Sequence, residues 1–338
     1  MEWYVDTVIK CIIAHATTNR MILFCLIAAN GCGMLLQNAF KLFMIDRQSY
    51  CAEKSVIFYQ DNVPKFIDFV GYSTNTHPDE VLCSRLSRDL VLNYITFLRD
   101  GTRKNTTINT YFRAVKTFLN FCIEEGFCSP DVLRKVKMLK SDAAPVIPLT
   151  NDEVDEIDDL YGWKCESDLR NLCMIHLMLD AGFRSSDVVN LMYSNINFDN
   201  NYLYIKGKGD KFRTVILCPK LKKMLSHYLL KYRACAPGDD FPVFAKVGTS
   251  DRINSNVIRQ LFTRIKKGSG IERVHPHLLR HTFATSYILG GGNMEYLRMM
   301  LGHSDYETTK LYLHLAQEAK MLNYDIYKLD SVFFKSVY

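Results

Sequence analysis

Apolar residues recur at helical spacing through the first half of the chain. They return every three or four positions between residues 56 and 70, and again between residues 90 and 98, which predicts two amphipathic helices. A third apolar run begins near Thr106–Thr107, residue types that favour a helix start, and ends at Gly126, a type that favours a helix stop. Together these runs predict a bundle of four or five helices over residues 40–139.

The second half combines helical patterns with short strand-like ones. Residues 151–159 are acidic, as suits the N-terminus of a helix, and an apolar helical run follows at residues 169–178. Tyr202–Ile205 and Thr214–Leu217 have the residue preferences of strands. Because the rest of this half is helical in pattern, we predict an α+β domain with a small antiparallel sheet.

These patterns predict a mainly α-helical protein of two domains in 338 residues. The predicted segments are an apolar N-terminal extension (residues 1–39), a helical domain (40–139), a linker (140–149), an α+β domain (150–320) and a C-terminal tail (321–338). The apolar run Met21–Leu36 has 16 residues, fewer than the roughly 20 needed to cross a bilayer. We therefore expect a packed extra helix and no membrane association, with translation starting near Met44 as an alternative.

The positive charge of the chain is concentrated in one stretch. The net charge is +6, whereas residues 103–140 alone hold eight lysines and arginines against three acidic residues. Such a surface can replace the counterions on nucleic acid, although a solvated helix face would have the same composition. The candidate DNA-binding residues are Arg103, Lys104, Thr106, Asn109, Arg113, Lys116 and Lys211.

The eleven cysteines are odd in number and never form a Cys-x-x-Cys pair. Secreted disulfide frameworks and zinc sites need paired or closely spaced cysteines, so we expect reduced thiols and a cytoplasmic location. No cysteine has a spacing that recommends it as a nucleophile.

Six residues of the second half are candidates for holding and cutting a phosphodiester. In chain order they are Arg184, Lys208, His277, Arg280, His303 and Tyr312. A guanidinium presents parallel donors that match two phosphate oxygens, and two of them would stabilise the charge of a pentacoordinate transition state. A helix that begins at Pro276 would place His277 and Arg280 on one face. His277 could then take a proton from the tyrosine or donate one to a phosphate oxygen.

Tyr312 is the candidate nucleophile of this set. The pKa of a free phenol is near 10, so attack on a phosphate needs cations and a base nearby. His303 would donate to the same phosphate from a loop that precedes a helix, and Ser304–Glu307 has the pattern of a capping box at the start of that helix.

A metal site and a nucleotide site are the alternatives for this chemistry. His277 and His281 have the spacing of a His-Glu-x-x-His zinc motif, but Leu278 stands where the glutamate is needed, and His275 does not restore it. Gly207–Gly209 lacks the longer glycine pattern of a phosphate-binding loop. We therefore expect no metal and no cofactor.

The ordered set of six resembles the tyrosine recombinase (phage integrase) family, including its Xer-like and integrase members, over about residues 40–320. The local contexts that carry the resemblance are Ala181-Gly-Phe-Arg184, Gly207-Lys-Gly209, His277-Leu-Leu-Arg280, Leu301-Gly-His303 and Thr308-Thr-Lys-Leu-Tyr312. The resemblance implies a SAM-like helical core-binding domain and a catalytic domain. It also implies a site-specific recombinase that cuts and rejoins DNA through a 3′-phosphotyrosyl link and a Holliday junction.

The resemblance further implies roles for two more residues. Lys208 would be the general acid that protonates the 5′-oxygen leaving group, while Lys206 and Lys211 compete for that role. Asp187 matches the acidic residue that the family places three positions after its first arginine, and it would orient charged neighbours. Neither ATP nor a divalent metal would be needed.

As partners, the resemblance implies a double-stranded recombination site, a homotetramer on DNA, and a directionality or DNA-bending accessory factor. The apolar tail residues Val332, Phe333 and Phe334 would dock either on a neighbouring protomer or on their own domain.

Two features depart from the family, and three rival functions remain. Phe183 stands where leucine is commoner, and the first 37 residues do not resemble the basic arm-binding domain of many phage integrases. The rivals are a DNA-binding protein of this fold that no longer cuts, a type IB-like topoisomerase, and a metal-dependent nuclease.

Overall fold

The computed structural model divides the chain into two compact units, Met1–Ala144 and Pro145–Tyr338. It describes residues 33–140, 146–206, 212–233, 240–303, 306–321 and 324–334. These residues are mainly helical, with one three-stranded antiparallel sheet in the second unit, which confirms the predicted fold class. None of the helices in these ranges is long and apolar enough to span a membrane. Most of the apolar run at residues 21–36 lies outside them.

The first unit is a bundle of helices around an aromatic core. Its helices are α1 (Leu36–Tyr50), α2 (Glu53–Ser73), α3 (Arg88–Arg99) and α4 (Asn105–Glu124), with 3₁₀ turns at Pro78–Glu80, Cys83–Arg85 and Pro130–Leu133. Phe43 of α1 meets Tyr59 of α2 and Phe118 of α4 edge-to-face, with ring centroids 5.1 and 5.4 Å apart. Tyr94 of α3 packs in the same way on Phe66 of α2. Edge-to-face pairs of this kind add to the free energy gained by burial.

Two boundaries in this unit differ from the sequence-based expectation. Helix α1 begins at Leu36, which is fully buried and donates its N–H to the carbonyl of Val81, so residues 36–39 belong to the bundle and not to the extension. Helix α4 is preceded by Lys104 with no side-chain cap, so Thr106–Thr107 lie inside its first turn. Gly126, with φ of 73°, follows the end of α4 as expected.

The second unit contains the sheet and eight helices within the described ranges. The helices are α5 (Asn151–Asp158), α6 (Glu166–Leu179), α7 (Ser185–Asn190), α8 (Pro219–Tyr232), α9 (Ser255–Ser269), α10 (Pro276–Leu289), α11 (Met294–Leu301) and α12 (Glu307–Met321). The strands are β1 (Ile196–Asn197), β2 (Tyr202–Lys206) and β3 (Phe212–Ile216), with 3₁₀ turns at Tyr193–Asn195 and Ser331–Phe333.

Helix α6 is the centre of the second unit. Every residue from Leu169 to Leu179 is buried, because α8 and α10 both pack against this helix. A helix that is buried all round has apolar side chains all round, and α6 follows that rule except at a few polar positions such as His176. The chain leaves α6 at Asp180 and reaches Arg184 four residues later.

The sheet has the strand order β1-β2-β3, and both pairs are antiparallel. Leu203, Ile205 and Val215 point into the core, as strand alternation requires. Strand β3 begins two residues earlier than the sequence suggested, and this brings Arg213 into the ladder opposite Ile205. The connection between β2 and β3, with Lys208 and Lys211, lies outside the described residues.

The C-terminal segment 324–334 packs on its own unit. Ile326 pairs with Thr150 in a β-bridge, and the N–H of Tyr327 donates to the carbonyl of Leu149 at 3.0 Å. Phe333 is buried edge-to-face against Phe283 of α10, with centroids 5.7 Å apart. Of the two docking hypotheses for the tail, the single chain therefore adopts the one in which the tail covers its own domain.

Candidate active site

Arg280 is the most enclosed member of the candidate set. It lies in the second turn of α10, which begins at Pro276 as predicted, and only 4% of its surface is exposed. Its guanidinium donates to the carbonyl of Gly182 at 2.5 Å and to that of Leu301 at 2.6 Å. Gly182 has φ of 63°, a conformation that glycine adopts without strain. These two carbonyls fix the plane of the guanidinium.

Arg184 immediately precedes α7 and lies near Arg213, which is buried. Its backbone N–H donates to Asp187 Oδ2 at 2.8 Å, and its guanidinium donates to the carbonyl of Gly302 at 3.3 Å. The same Oδ2 accepts from Arg213 at 2.5 Å, and Arg213 also donates to the carbonyl of Met300. Asp187 thus orients both the start of α7 and Arg213.

His303 links Arg280 to the helix that carries Tyr312. His303 Nε2 is 3.2 Å from the Arg280 guanidinium, and Nδ1 is 3.1 Å from the hydroxyl of Thr309 in α12. A guanidinium can only donate, so Nε2 accepts and Nδ1 carries the proton. In this state His303 is a neutral imidazole.

Tyr312 is 3% exposed and lies between two histidine rings. Its ring stacks on His303 with centroids 6.1 Å apart, and His281 tilts against it at 5.4 Å. Burial raises the pKa of Tyr312, whereas the positive charges of Arg280 and Arg184 act to lower it. The phenol is therefore protonated at neutral pH and stands next to the groups that favour its ionised form.

The two histidines on α10 are held neutral. Partial burial lowers the pKa of His277, and the charges of Arg280, His275 and Arg184 lower it further. Burial and the neighbouring histidines lower the pKa of His281 to about 4. The charges of Arg184, Arg213 and Arg280 act on one another, and among the described residues Asp187 is the carboxylate that offsets them. The site therefore carries an excess of positive charge and is suited to an anion.

The structure brings together Arg184, His277, Arg280, His303 and Tyr312, together with Asp187. Lys208, Lys211 and part of the predicted capping box, residues 304–305, lie outside the described residues. Lys206 is exposed at the end of β2. Within the described ranges, no group of three or more His, Cys, Asp or Glu is arranged to hold a metal ion. His275 Nδ1 lies 2.7 Å from the carbonyl of Arg273.

Sequence reasoning missed Arg213 and the place of His281. Arg213 stands two residues before Val215, on the inward face of β3, where a buried arginine signals an ion pair. The predicted strand starts at Thr214, directly after Arg213, and so leaves this residue out. The sequence indicates His281 only as a metal ligand, although its four-residue spacing from His277 places both on one helix face, and in the structure its ring contacts Tyr312.

The candidate DNA-binding residues of the first unit lie around the first half of α4. Arg103, Lys104, Thr106 and Arg113 are exposed and Lys116 is partly exposed. Asn109 differs from the prediction, because its side chain is buried and its amide donates to the carbonyl and accepts from the N–H of Leu139. Asn109 therefore holds the segment after α4 in place and is not available to DNA.

Comparison with known proteins identifies the class to which this fold and site belong. Residues 149–319 match the model of the phage integrase family. A tyrosine recombinase XerD from Caulobacter vibrioides is 33% identical over 211 residues, covering 61% of this chain and 69% of the relative. A tyrosine recombinase XerD from Oceanobacillus iheyensis is 26% identical over 292 residues, covering 83% and 94%. The chain belongs to the phage integrase family, and it is a tyrosine recombinase that acts in site-specific recombination.

Solved structures share the fold at low sequence identity. The Tn1549 transposon integrase in complex with a circular intermediate DNA has a TM-score of 0.67 at 14% identity, with 86% of this chain and 99% of that chain covered. XerH recombinase bound to a palindromic difH substrate has a TM-score of 0.65 at 17% identity, with 90% and 93% covered. A lambda integrase dimer bound to a core site has a TM-score of 0.65 at 18% identity, with 82% and 95% covered.

Proposed function

We propose that this recombinase cuts a DNA strand by attack of the Tyr312 hydroxyl on the scissile phosphorus. The phenolic oxygen forms a 3′-phosphotyrosyl bond, and the bond to the 5′-oxygen breaks. Attack by the 5′-hydroxyl of a second strand then releases Tyr312, and two such exchanges pass through a Holliday junction. The observation that carries the proposal is the position of a buried tyrosine beside Arg280 and His303, in a site with excess positive charge.

Arg184 and Arg280 are the proposed phosphate clamp. The two carbonyls that hold Arg280 leave its position set before the substrate arrives, so little reorganisation accompanies transition-state binding. Binding of an anionic phosphate would raise the proton affinity of His303, so that Nε2 carries a proton and donates to a phosphate oxygen.

Proton transfer is assigned to His277 and Lys208. His277 is half-exposed and neutral, so it can accept the phenolic proton once a phosphodiester is bound. Lys208 is the proposed acid that donates a proton to the leaving 5′-oxygen. Asp187 supports the clamp by binding Arg213 and the backbone of Arg184.

The proposed division of labour places substrate binding on both units and chemistry on the second. Residues 36–139 are the proposed core-binding domain, with residues 140–149 as the linker. Residues 150–320, together with the C-terminal segment 324–334 that packs on them, are the proposed catalytic domain. Arg103, Lys104, Thr106, Arg113 and Lys116 are the proposed phosphate contacts of the first unit, and Lys211 that of the second. We further propose a homotetramer on the recombination site, an accessory factor that sets direction, and a cytoplasmic location.

A suicide-substrate assay tests the nucleophile. The target site is first recovered by selection from random duplexes. It is then rebuilt with a nick a few nucleotides from the scissile phosphate. Cleavage releases the short fragment that carries the 5′-hydroxyl, so religation is prevented and the covalent complex accumulates. We expect a covalent protein–DNA product that is absent in Tyr312→Phe and present in Tyr296→Phe, a matched change at an exposed tyrosine of α11.

The same assay separates the rival functions. Binding without a covalent product in the parent chain would favour a DNA-binding protein that does not cut. Relaxation of any plasmid by single chains would favour a type IB-like topoisomerase, and loss of cleavage in EDTA would favour a metal-dependent nuclease.

A further inference from the structure

A hydrogen-bond chain links the C-terminal segment to the end of helix α6 and from there to helices α5 and α8. The hydroxyl of Tyr327 donates to Asp180 Oδ1 at 2.9 Å. Asp180 Oδ2 is 2.7 Å from His176 Nδ1, and His176 Nε2 is 2.8 Å from Asp158 Oδ1. Lys220 of α8 closes the chain by donating to the other oxygen of Asp158 at 3.1 Å.

His176 is the charged centre of this chain. It is fully buried, and each ring nitrogen faces a carboxylate, an arrangement that requires a proton on both nitrogens. Burial alone would lower the pKa of His176, but the charges of Asp180 and Asp158 raise it to about 9. An imidazolium between two carboxylates holds Asp180 in one orientation, with its second oxygen turned toward Tyr327.

Tyr327 also contacts helix α10, which carries His277 and Arg280. The hydroxyl of Ser286 donates to the carbonyl of Tyr327 at 2.5 Å. The backbone N–H of Tyr327 donates to the carbonyl of Leu149. The N–H of Leu149 in turn donates to the hydroxyl of Thr282 in α10 at 2.9 Å. Tyr327 thus bridges α10 and the end of α6.

These two elements supply the two arginines of the site. Arg184 follows Asp180 by four residues, and the carbonyl of Gly182, which lies between them in the chain, accepts a hydrogen bond from Arg280. Gly182 lies so close to Phe283 of α10 that an added Cβ would be 2.6 Å from its ring. Phe283 in turn packs on Phe333 of the C-terminal segment. A polar and an apolar path therefore run from the segment to the same connection.

We propose that Tyr327 is a positioning residue of the recombinase, which ties the Asp180–Arg184 connection to α10 and so sets the spacing of Arg184 and Arg280. The proposal rests on the function proposed above, because it assumes that these arginines clamp the scissile phosphate. Docking of segment 324–334 on its own unit is then part of assembling the active site. Misplacing a clamping group by about 1 Å lowers a reaction rate by as much as about 100-fold, so a small displacement is enough to be measured.

The test is single-turnover cleavage of the nicked substrate at saturating enzyme, with DNA affinity measured separately. Tyr327→Phe removes only the hydroxyl that binds Asp180. We expect a cleavage rate at least about tenfold slower with DNA affinity changed less than about twofold. Tyr324→Phe, a matched change at an exposed tyrosine of the same segment, should keep the parent rate.

A second variant keeps the test decisive if Tyr327→Phe folds poorly. Ser286→Ala breaks the link from α10 to the backbone of Tyr327, and it should also slow cleavage without loss of affinity. Asp180→Asn combined with Tyr327→Phe should cost no more than the larger single change, because both act through one contact.

Parent-like cleavage in both Tyr327→Phe and Ser286→Ala would overturn the proposal. Equal losses of cleavage and DNA affinity in both would also overturn it, since they would indicate general destabilisation. Failure of the parent chain to form a covalent complex would instead contradict the proposed function, and thermal unfolding of the same variants would still report the contact.

Discussion

Two histidines of the second unit differ in charge: one ring is protonated and the other is neutral. His176 faces two carboxylates and is protonated, whereas His281 faces cationic groups and the ring of Tyr312 and is neutral. Burial lowers the pKa of both side chains and is the main cause for His281, whereas at His176 the charges of the two carboxylates outweigh it. Each therefore makes folding depend on pH, in opposite directions.

For His281 the expected effect is a loss of stability in acid. Its folded pKa of about 4 is below the ordinary value of 6.5, so the unfolded chain binds more protons between those limits, and stability present above pH 6.5 falls as the pH drops toward 4. Urea midpoints at pH 7, 5.5 and 4.5 measure this slope. His281→Gln should flatten it, while His227→Gln, at an exposed histidine of α8, should not. An unchanged slope in His281→Gln would contradict this assignment.

Asp187 is expected to stabilise the folded state as well as the site. It pairs with Arg213, and both side chains are 10% exposed or less. Asp187→Asn leaves a guanidinium enclosed without its counter-charge, which costs about 3–5 kcal/mol. Asp251→Asn breaks the exposed pair with Lys246 and should change the free energy of unfolding by less than about 1 kcal/mol. Denaturant unfolding of the two variants compares these costs, and similar values would refute the buried-pair assignment.

At the scale of elements, helices and strands were predictable where one face meets the core. The apolar periods of α2, α3 and α6 and the alternation of β2 all gave the correct element. What escaped were boundaries that depend on partners distant in the chain. Strand β3 starts early because it pairs along the whole of β2, and α1 starts early because Leu36 bonds to Val81. The site arginines were recognisable from their motif contexts, but Arg213 required the strand register.

Helix α4 carries both a proposed DNA contact, Arg113, and a structural residue, Asn109. Arg113 is exposed, so Arg113→Ala should weaken DNA binding and reduce the slope of log affinity against log salt by about 1. Lys41→Ala, at an exposed lysine of α1, serves as the control for net charge.

Asn109→Ala should instead lower the stability of the first unit by about 1–3 kcal/mol, because the backbone of Leu139 loses both of its bonds. Fluorescence anisotropy over a salt series and denaturant unfolding distinguish the two effects. If Asn109→Ala changed the slope of log affinity against log salt and left the stability unchanged, Asn109 would be a DNA contact and not a structural residue.

At the scale of the whole chain, the C-terminal segment contributes to the second unit far beyond its length. Ile326, Leu329 and Phe333 are all buried, and each buried side chain of this kind contributes roughly 1.5–3 kcal/mol. A chain ending at Met321 should therefore lose about 5 kcal/mol of stability or more, whereas one ending at Phe334 retains these three residues. Thermal unfolding of the two truncations is the measurement, and equal melting temperatures would contradict the expectation.

The clustering of the positive charges of Arg184, Arg213 and Arg280 has a consequence for handling the protein. Folding brings these charges together before any DNA is present. An anion that enters the site therefore binds the folded chain and not the unfolded one, and so stabilises the fold. Sulfate or phosphate should raise the melting temperature more than chloride at equal ionic strength, and should slow cleavage by competing for the clamp. Equal melting temperatures in the three salts would argue against such a site. On this expectation a sulfate or phosphate buffer takes the place of the scissile phosphate, and cleavage rates measured in it are lower than those measured in chloride.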